Sequence, residues 1–560
     1  MSVSSGASAF GWSAAAGLGL VVALPVAFVV LQAIFPEIGA GSLAKPFAHL
    51  PKLLDDPKLI RLTFNTLALG VGVSALAAAI AVPLAILRAL FRVPFAKFWD
   101  VAMLVPFMIP PYIATLGWVM TLQPRGYAQQ IFGFHLGPFL FSVWGMALVM
   151  ALHTFPLVYF AVSRIVEAIG ARWADVARVF GATPGRAFWR VTLPLATPGL
   201  AASLLLVFAA TIEEYGTPAT LGRRSGFDVL VTEIDHRVAD WPIDLAGAAF
   251  FSLILVALSL AAFLIQRAIV ARGNWVTTGG KPLDKDKRAL GAWTVPVLLL
   301  FATVATVATL IPLGGILATA LSRTVSGGLA FGNLGLQHFA AIGNDGAGAM
   351  RALTTSVTLG IATALLTGAL GLGTAYVVVK TKFRARASLD MLTALPHALP
   401  GVVVAVGLIL AWNQPALPFT PYGTPLILLL AYACILLPQP VRYATAALVQ
   451  VGDSLEAAAR VSGANAFVAF RRIVLPLIAP SVITAMLLVF AVATRELVAS
   501  TLVAPVGTQT VATFIWKQFD QGSVGLGMAM AFVAIVLTTI IPLIVIGLLG
   551  RRETLAGRGV

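Results

Sequence analysis

Twelve runs of mostly apolar residues, each about 20 residues or longer, punctuate this sequence, and that is the length a helix needs to cross the hydrocarbon core of a bilayer. They lie near 10–34, 62–90, 99–122, 140–163, 195–217 and 245–270, then near 291–319, 352–379, 389–412, 424–446, 477–503 and 527–549. Inside a bilayer no water meets backbone N–H and C=O groups, so each run must satisfy its own backbone as a helix. Composition agrees: 59% of residues are hydrophobic and 11% charged, with a mean hydropathy of +0.95, against about 25% charged in soluble domains. The fold class is therefore an all-α membrane protein with any extramembrane parts small.

The charges mark topology. The net charge of +15, from 37 Lys and Arg against 22 Asp and Glu, would raise nucleic acid as a partner in a soluble chain. Here Lys and Arg collect in one set of loops, at Arg88–Lys97, Arg164–Arg190, Arg267–Arg288, Lys380–Arg386, Arg442–Arg472 and Arg551–Arg558. By the positive-inside tendency these loops and both termini are cytoplasmic, the partner is membrane lipid, and nucleic acid is not expected. No Lys or Arg precedes the first apolar run, so that run reads as a retained span rather than a cleaved signal. The single cysteine, Cys434, lies in an apolar run and reads as a packing residue.

The two groups of six runs are copies. RVFGATPGRAFWRVTLPLATP at 178–198 aligns without a gap on RVSGANAFVAFRRIVLPLIAP at 460–480, a shift of 282 that also places Pro156 on Pro438 and Glu214 on Glu496. Upstream the shift is 290 and places Asp100 on Asp390, Pro106 on Pro396, Pro110 on Pro400 and Gly117 on Gly407. The predicted organisation is a first repeat at 1–270, a cytoplasmic linker at 271–290 and a second repeat at 291–560. Six spans per copy is an even number, so both copies share one orientation, as in parallel-repeat transporters.

Between the fourth and fifth spans of each copy lies a cytoplasmic segment, 165–194 and 447–476, patterned as helix, glycine turn, helix. The first breaks at Gly181, resumes and stops at Pro194; the second breaks at Gly463 and stops at Pro476. Such a hairpin presents a knob to a cytoplasmic partner. Asp175-Val176-Ala177, Gly181-Ala182 and Val191-Thr192-Leu193-Pro194 in one copy, with Glu456, Ala457-Ala458-Ala459, Gly463-Ala464 and Ile473-Val474-Leu475-Pro476 in the other, resemble the EAA loop of permease subunits of binding-protein-dependent ATP-binding-cassette importers. The acid is Asp in the first copy, and in the second it stands one place early, at Glu456 with Ala457 following. The resemblance implies a type I importer permease fold and a coupling helix in each hairpin. It also implies two copies of a cytoplasmic ATPase, a periplasmic solute-binding protein and a bacterial inner-membrane location. The fused chain is then equivalent to a permease dimer.

No phosphate-cradling loop accompanies these hairpins. The nearest match, Gly279-Gly280-Lys281-Pro282, has Pro282 where Ser or Thr is required. ATP and Mg are therefore expected on the partner ATPases, with no cofactor on this chain and no catalytic site. The six histidines, including His153 and His397, show no ligand spacing and no metal site is expected. Glu213 and Glu214 in the fifth span, and Arg495 and Glu496 in the eleventh, are ionisable groups inside the membrane and are read as lining the translocation path or gate, or as a latch pairing Arg495 with Glu213 or Glu214. Pro106, Pro110, Pro111, Pro396 and Pro400 read as packing kinks or as a path-lining break. TIEEYGTPATL and ATRELVASTLV resemble the ferric-iron group of these importers, which also includes thiamine and 2-aminoethylphosphonate relatives. Ferric iron is thus the expected cargo, the other two being alternatives. A major-facilitator secondary transporter shares the twelve-span duplicated plan but supplies no reason for the paired hairpins.

Overall fold

The computed structural model describes residues 2–272, 287–414, 419–540 and 544. Of the predicted linker, 273–286 lies outside the described residues, as does the end of the twelfth predicted span beyond 540 apart from Ile544. Among the described residues eight helices are long and apolar enough to cross a membrane: α1 (Phe10–Ile34), α2 (Lys58–Leu90), then, past a broken span, Val143–Ile169 within α5 (Val143–Val179), α6 (Gly185–Glu213), Leu245–Ala271 within α7 (Leu245–Arg272), α8 (Gly291–Leu321), α9 (Ala349–Lys380) and, near the end, Phe467–Ala493. Three bent pairs bring the number to 11: α3 (Ala96–Met108) with Pro111–Phe132, whose first part is α4 (Pro111–Leu122); α10 (Arg386–Ala398) with α11 (Gly401–Trp412); and α12 (Pro425–Leu436) with α13 (Pro438–Gln450). After α13 come α14 (Asp453–Val461), α15 (Phe467–Ala493) and α16 (Val524–Ile540). α16, at the position of the twelfth predicted span, is shorter and apolar.

The prolines of the third and ninth predicted spans do more than kink them. α3 and α4 meet at 94°, α10 and α11 at 114°, far beyond an ordinary packing kink, which corrects that reading. A residue before proline is pushed out of the helical region. Ile109 (ψ 132°) and Pro110 (ψ 134°) are both extended before Pro111, and so are Leu399 (ψ 112°) and Pro400 (ψ 142°). Two successive extended residues turn the chain sharply, through 94° or 114°, where a kink would only bend it. Pro110 also leaves the carbonyl of Pro106 without its helical donor, and His153 on α5 takes that place, with Nδ1 3.0 Å from Pro106 O. A carbonyl only accepts, so Nδ1 carries the proton.

Elsewhere a proline is absorbed without a break. π-helical turns at Gly19–Ala23, Phe188–Thr192, Thr306–Leu310 and Phe470–Val474 precede Leu24-Pro25, Leu193-Pro194, Ile311-Pro312 and Leu475-Pro476. In each, the N–H of the residue before proline reaches back five residues, Leu24 to Gly19 O and Leu193 to Phe188 O for example. The widened turn relieves the clash between the proline ring and the carbonyl four residues earlier. The hairpin helices therefore do not stop at Pro194 and Pro476 as expected; they run on as α6 and α15.

The described chain packs as two compact units that cut across the sequence repeats. One comprises Met1–Asp55, Ile234–Val256 and Gly335–Val560, the other Asp56–Glu233 and Ala257–Leu334. Within the second, α2, α5 and α6 pack on one another; within the first, α9, α13 and α15 do the same. Each trio closes on a glycine: a Cβ on Gly70 would run into Phe208, and one on Gly360 into Thr494 and Phe490. The first span of each repeat packs in the unit built on the other repeat, α1 on α11 and α8 on α4. Gly407 there abuts the Pro25 backbone, and Gly117 the Pro312 backbone, so closely that a Cβ would overlap a main-chain oxygen. The aligned glycines are the contact points of the exchange.

Replacing Gly117 or Gly407 with Leu forces main chain apart and is expected to cost about 1–3 kcal/mol. Thermal unfolding in detergent should show a lowered Tm for either variant. Gly72→Ala, where a Cβ meets nothing within 4 Å, should unfold like the parent.

Candidate functional site

The two hairpins share one backbone design. In the first, α5 runs unbroken from the membrane to Val179, then Gly181 takes φ +84°; in the second, α14 ends at Val461 and Gly463 takes φ +86°. The N–H of Ala182 donates to Ala177 O, and that of Ala464 to Ala459 O, both at 3.0 Å. This six-to-one bond is the Schellman closure of a helix C-terminus, with glycine at the left-handed position. It explains the spacing from the last alanine of the EAA-like triplet to the glycine: Ala177 and Ala459 are the acceptors that the turn must reach. No atom lies within 4 Å of a Cβ built on Gly181 or Gly463, so glycine is required for its φ and not for space.

The returning helices start on matched caps. Thr183 Oγ1 accepts from Arg186 N–H at 3.3 Å and Asn465 Oδ1 from Val468 N–H at 2.8 Å, each satisfying an orphan donor of a first turn. The π turns before Leu193-Pro194 and Leu475-Pro476 follow. Around each glycine large apolar side chains face out: Val179 and Phe180 are 85% and 86% exposed, Val461 and Phe467 90% and 69%. Isolated exposed apolar residues are ordinary, but an exposed apolar cluster at the tip of each hairpin is the kind of surface that meets a partner.

The acids of the two hairpins behave differently. Asp175 belongs to α5, and its side chain lies outside the described set. Glu456 is buried and turned toward α9, with Oε1 3.6 Å from Lys380 Nζ; the same ammonium donates to Asp453 Oδ1 at 2.7 Å and to Val451 O at 2.8 Å. The position one residue before the EAA-like triplet is rotated by one helical step onto the inner face. Lys380 holds the Asp453 carboxyl below the usual range. That contact is present above the ordinary carboxylate pKa and is lost only as pH falls through the lowered value. In the first repeat the hairpin end of the helices is held by other groups. Arg88 pairs with Asp100 at 2.7 Å and Glu167 at 3.3 Å, Tyr159 donates to Asp100 at 2.9 Å, and Lys287 reaches Glu167 at 2.8 Å. Sequence reasoning counted Lys380, Arg88 and Lys287 only as topology markers, because their partners lie 12 to 120 residues away.

The intramembrane acids also divide. Both carboxylate oxygens of Glu214 accept from Thr217 N–H at 3.0 Å; Glu496 accepts from Ala499 and Ser500 N–H at 3.1 Å. Each glutamate caps the turn that follows it, Pro218–Gly222 or Val498–Val503. Those turns are pinned further: Thr217 Oγ1 lies 2.9 Å from Thr115 Oγ1 on α4, and Ser500 Oγ 2.6 Å from Tyr432 OH on α12. Glu213 is half-buried, with its Oε1 buried. Arg495 is half-buried just beyond α15, its N–H bonded to Val492 O at 3.2 Å.

A capping carboxylate and a cargo-binding carboxylate respond differently to substitution. Glu214→Ala and Glu496→Ala should each lose about 1 kcal/mol of local stability and most uptake, whereas Glu214→Gln and Glu496→Gln keep an acceptor and should keep uptake. Transport by the reconstituted complex decides it, since a required charge makes Gln as damaging as Ala. At the hairpins, Gly181→Ala and Gly463→Ala force a Cβ into the left-handed region at about 1–2 kcal/mol each. The double variant should bind its cytoplasmic partner measurably more weakly in a pull-down.

The chain resembles known transport proteins over most of its length. It is 28% identical over 497 residues to the ferric transport system permease protein FbpB of Actinobacillus pleuropneumoniae, covering 87% of this chain and 70% of that protein. It is 25% identical over 513 residues to the Fe(3+)-transport system permease protein FbpB 2 of Haemophilus influenzae, covering 89% and 90%. The molybdenum transport system permease protein ModB of Escherichia coli (strain K12) is 26% identical over 220 residues, 38% of this chain but 94% of ModB, so that it matches a single repeat in length. The family of binding-protein-dependent transport system inner membrane components matches twice, at 81–274 and 357–554, each match holding one hairpin and one capped glutamate turn. With both repeats matched, the chain belongs to that family and is a multi-pass permease of an ATP-binding-cassette importer.

Proposed function

We propose that this permease carries ferric iron, received from a solute-binding protein on the non-cytoplasmic side and driven by two ATPase subunits docked on the hairpins at Gly181 and Gly463. The observation that carries the ATPase part is the pair of Schellman-closed hairpins with exposed tips at Val179, Phe180, Val461 and Phe467. Two hairpins of one backbone design fit two copies of one partner. The cargo rests on relatives named for ferric transport that cover most of the chain. The bias of Lys and Arg toward the loops around the hairpins supports a reading in which both termini are cytoplasmic. Alternating access then follows from ATPase closure moving the hairpins, whose helices continue directly into α6 and α15.

Reconstitution with the cognate ATPase and binding protein tests each part. Uptake of ferric ion should require ATP, binding protein and ATPase together, and the ATPase should copurify with the chain. Transport on a proton gradient without an ATPase overturns the importer reading. ATP-driven uptake of 2-aminoethylphosphonate or thiamine, with none of iron, overturns the cargo alone. Reporter fusions at the termini should read cytoplasmic.

A further inference from the structure

The two hairpins rest on unequal foundations, although the sequence repeats align them residue by residue. Behind the returning helix of the first lies a cavity of about 10 Å³, at the level of its π turn between α2, α5 and α6. Its walls include Ile86, Val166, Thr192 and Ala196. The aligned residues of the second repeat are Tyr376, Leu448, Val474 and Ile478, larger at three of the four places and closer to apolar at Val474. There Leu448, Val474 and Ile478 form a packed cluster with Ala444 and Val482, and Tyr376 covers it with its ring 5.1 Å from that of Phe470. The space that is hollow in one repeat is filled in the other.

A second, independent difference lies in the ion pairs. Lys380 at the end of α9 is 7% exposed and ties down α14 through Asp453, Glu456 and Val451 O. In the first repeat the aligned positions are Leu90, Ala171 and Ala174, which hold no charge at all. The connection to the membrane also differs. α5 passes into its hairpin as one 37-residue helix, whereas α13 ends at Gln450 and α14 restarts at Asp453 after Val451-Gly452. The second coupling helix is thus jointed to its span and needs the Lys380 tether to hold an orientation; the first is a direct extension of its span, which Glu167 ties to Arg88 and Lys287, and packs on a small gap beside Ala196.

We propose that the two hairpins transmit ATPase motion unequally, with Lys380 the positioning residue that fixes the second coupling helix against α9, while the first hairpin, continuous with α5 and packed on a less completely filled core beside Ala196, moves with α5. This rests on the reading that both hairpins dock ATPase subunits. It assigns Glu456 to the interior of the chain, so the second ATPase contact is made without that acid.

The test uses the complete transporter with its ATPase and binding protein in liposomes, together with hydrogen exchange on the chain. Lys380→Met with Glu456→Gln removes the tether without leaving a lone buried charge. Exchange at 453–461 should accelerate roughly tenfold with no change at 185–196, and solute moved per ATP should fall several-fold while the ATPase still copurifies. Lys380→Arg should restore most of that coupling. Ala196→Ile, which fills the cavity, should slow exchange at 185–196 and lower the transport rate without altering 453–461. Unchanged exchange at 453–461 in the tether variant, or identical exchange of the two hairpins in the parent and in Ala196→Ile, overturns the proposal. Failure of the parent chain to bind an ATPase overturns the docking reading instead, and leaves the exchange result to stand or fall by itself.

Discussion

A backbone in hydrocarbon must find partners for its own N–H and C=O groups, and proline removes one donor wherever it stands. This chain holds 33 prolines, and its architecture follows from how they are accommodated. Where a proline follows one helical residue, as at Leu24-Pro25, Leu193-Pro194, Ile311-Pro312 and Leu475-Pro476, a π turn absorbs it and the helix continues. Where two successive residues are extended, at Ile109-Pro110 and Leu399-Pro400, the helix turns through 94° or 114°. The first solution makes long levers, α6 and α15, that connect hairpins to the membrane. The second makes broken spans whose later halves, α4 and α11, receive the prolines of α8 and α1 against bare glycine backbone.

The same economy of donors and acceptors shapes the elements assigned to function. Each hairpin closes because one alanine carbonyl accepts from beyond a left-handed glycine. Each glutamate after α6 or α15 is held because its carboxylate meets backbone N–H groups at the start of a turn. These carboxylates accept from backbone N–H groups within their own units, which explains how acids persist at that depth: oriented amides replace water. Repetition of both devices at a shift of 282 shows that they are properties of the duplicated unit. Lys380 aligns with Leu90 and Ala196 with Ile478, so the side chains beneath the two hairpins differ while the backbone is kept.

Much of this was legible beforehand because it is periodic or punctuated. The apolar runs, the duplication, the glycine turns and the positions of Glu214 and Glu496 are written in local spacing. The direction of the acids was not legible. Glu456 differs from its expected position by one residue, and only the packing of α14 on α9 shows that one residue turns it from the surface to Lys380. Pro194 and Pro476 read as stops because a local rule makes proline a helix breaker; the π turn that overrides it is a hydrogen-bond rearrangement no residue type announces. His153 could be read only as no metal ligand, and its partner, the carbonyl freed by Pro110, emerges only when α5 is brought beside α3.

The sequence by itself determined that the chain spans a membrane, that it is two copies of one six-span unit, and that each copy carries a hairpin closed on glycine, because burial, duplication and left-handed turns all leave local marks. Tertiary structure alone decided that the first span of each copy packs with the other copy's helices, that Glu214 and Glu496 cap turns, and that one hairpin is tethered over a filled core while the other stands over a cavity. Those outcomes depend on distances between residues far apart in the chain, and a side chain one helical step to either side meets a different neighbour.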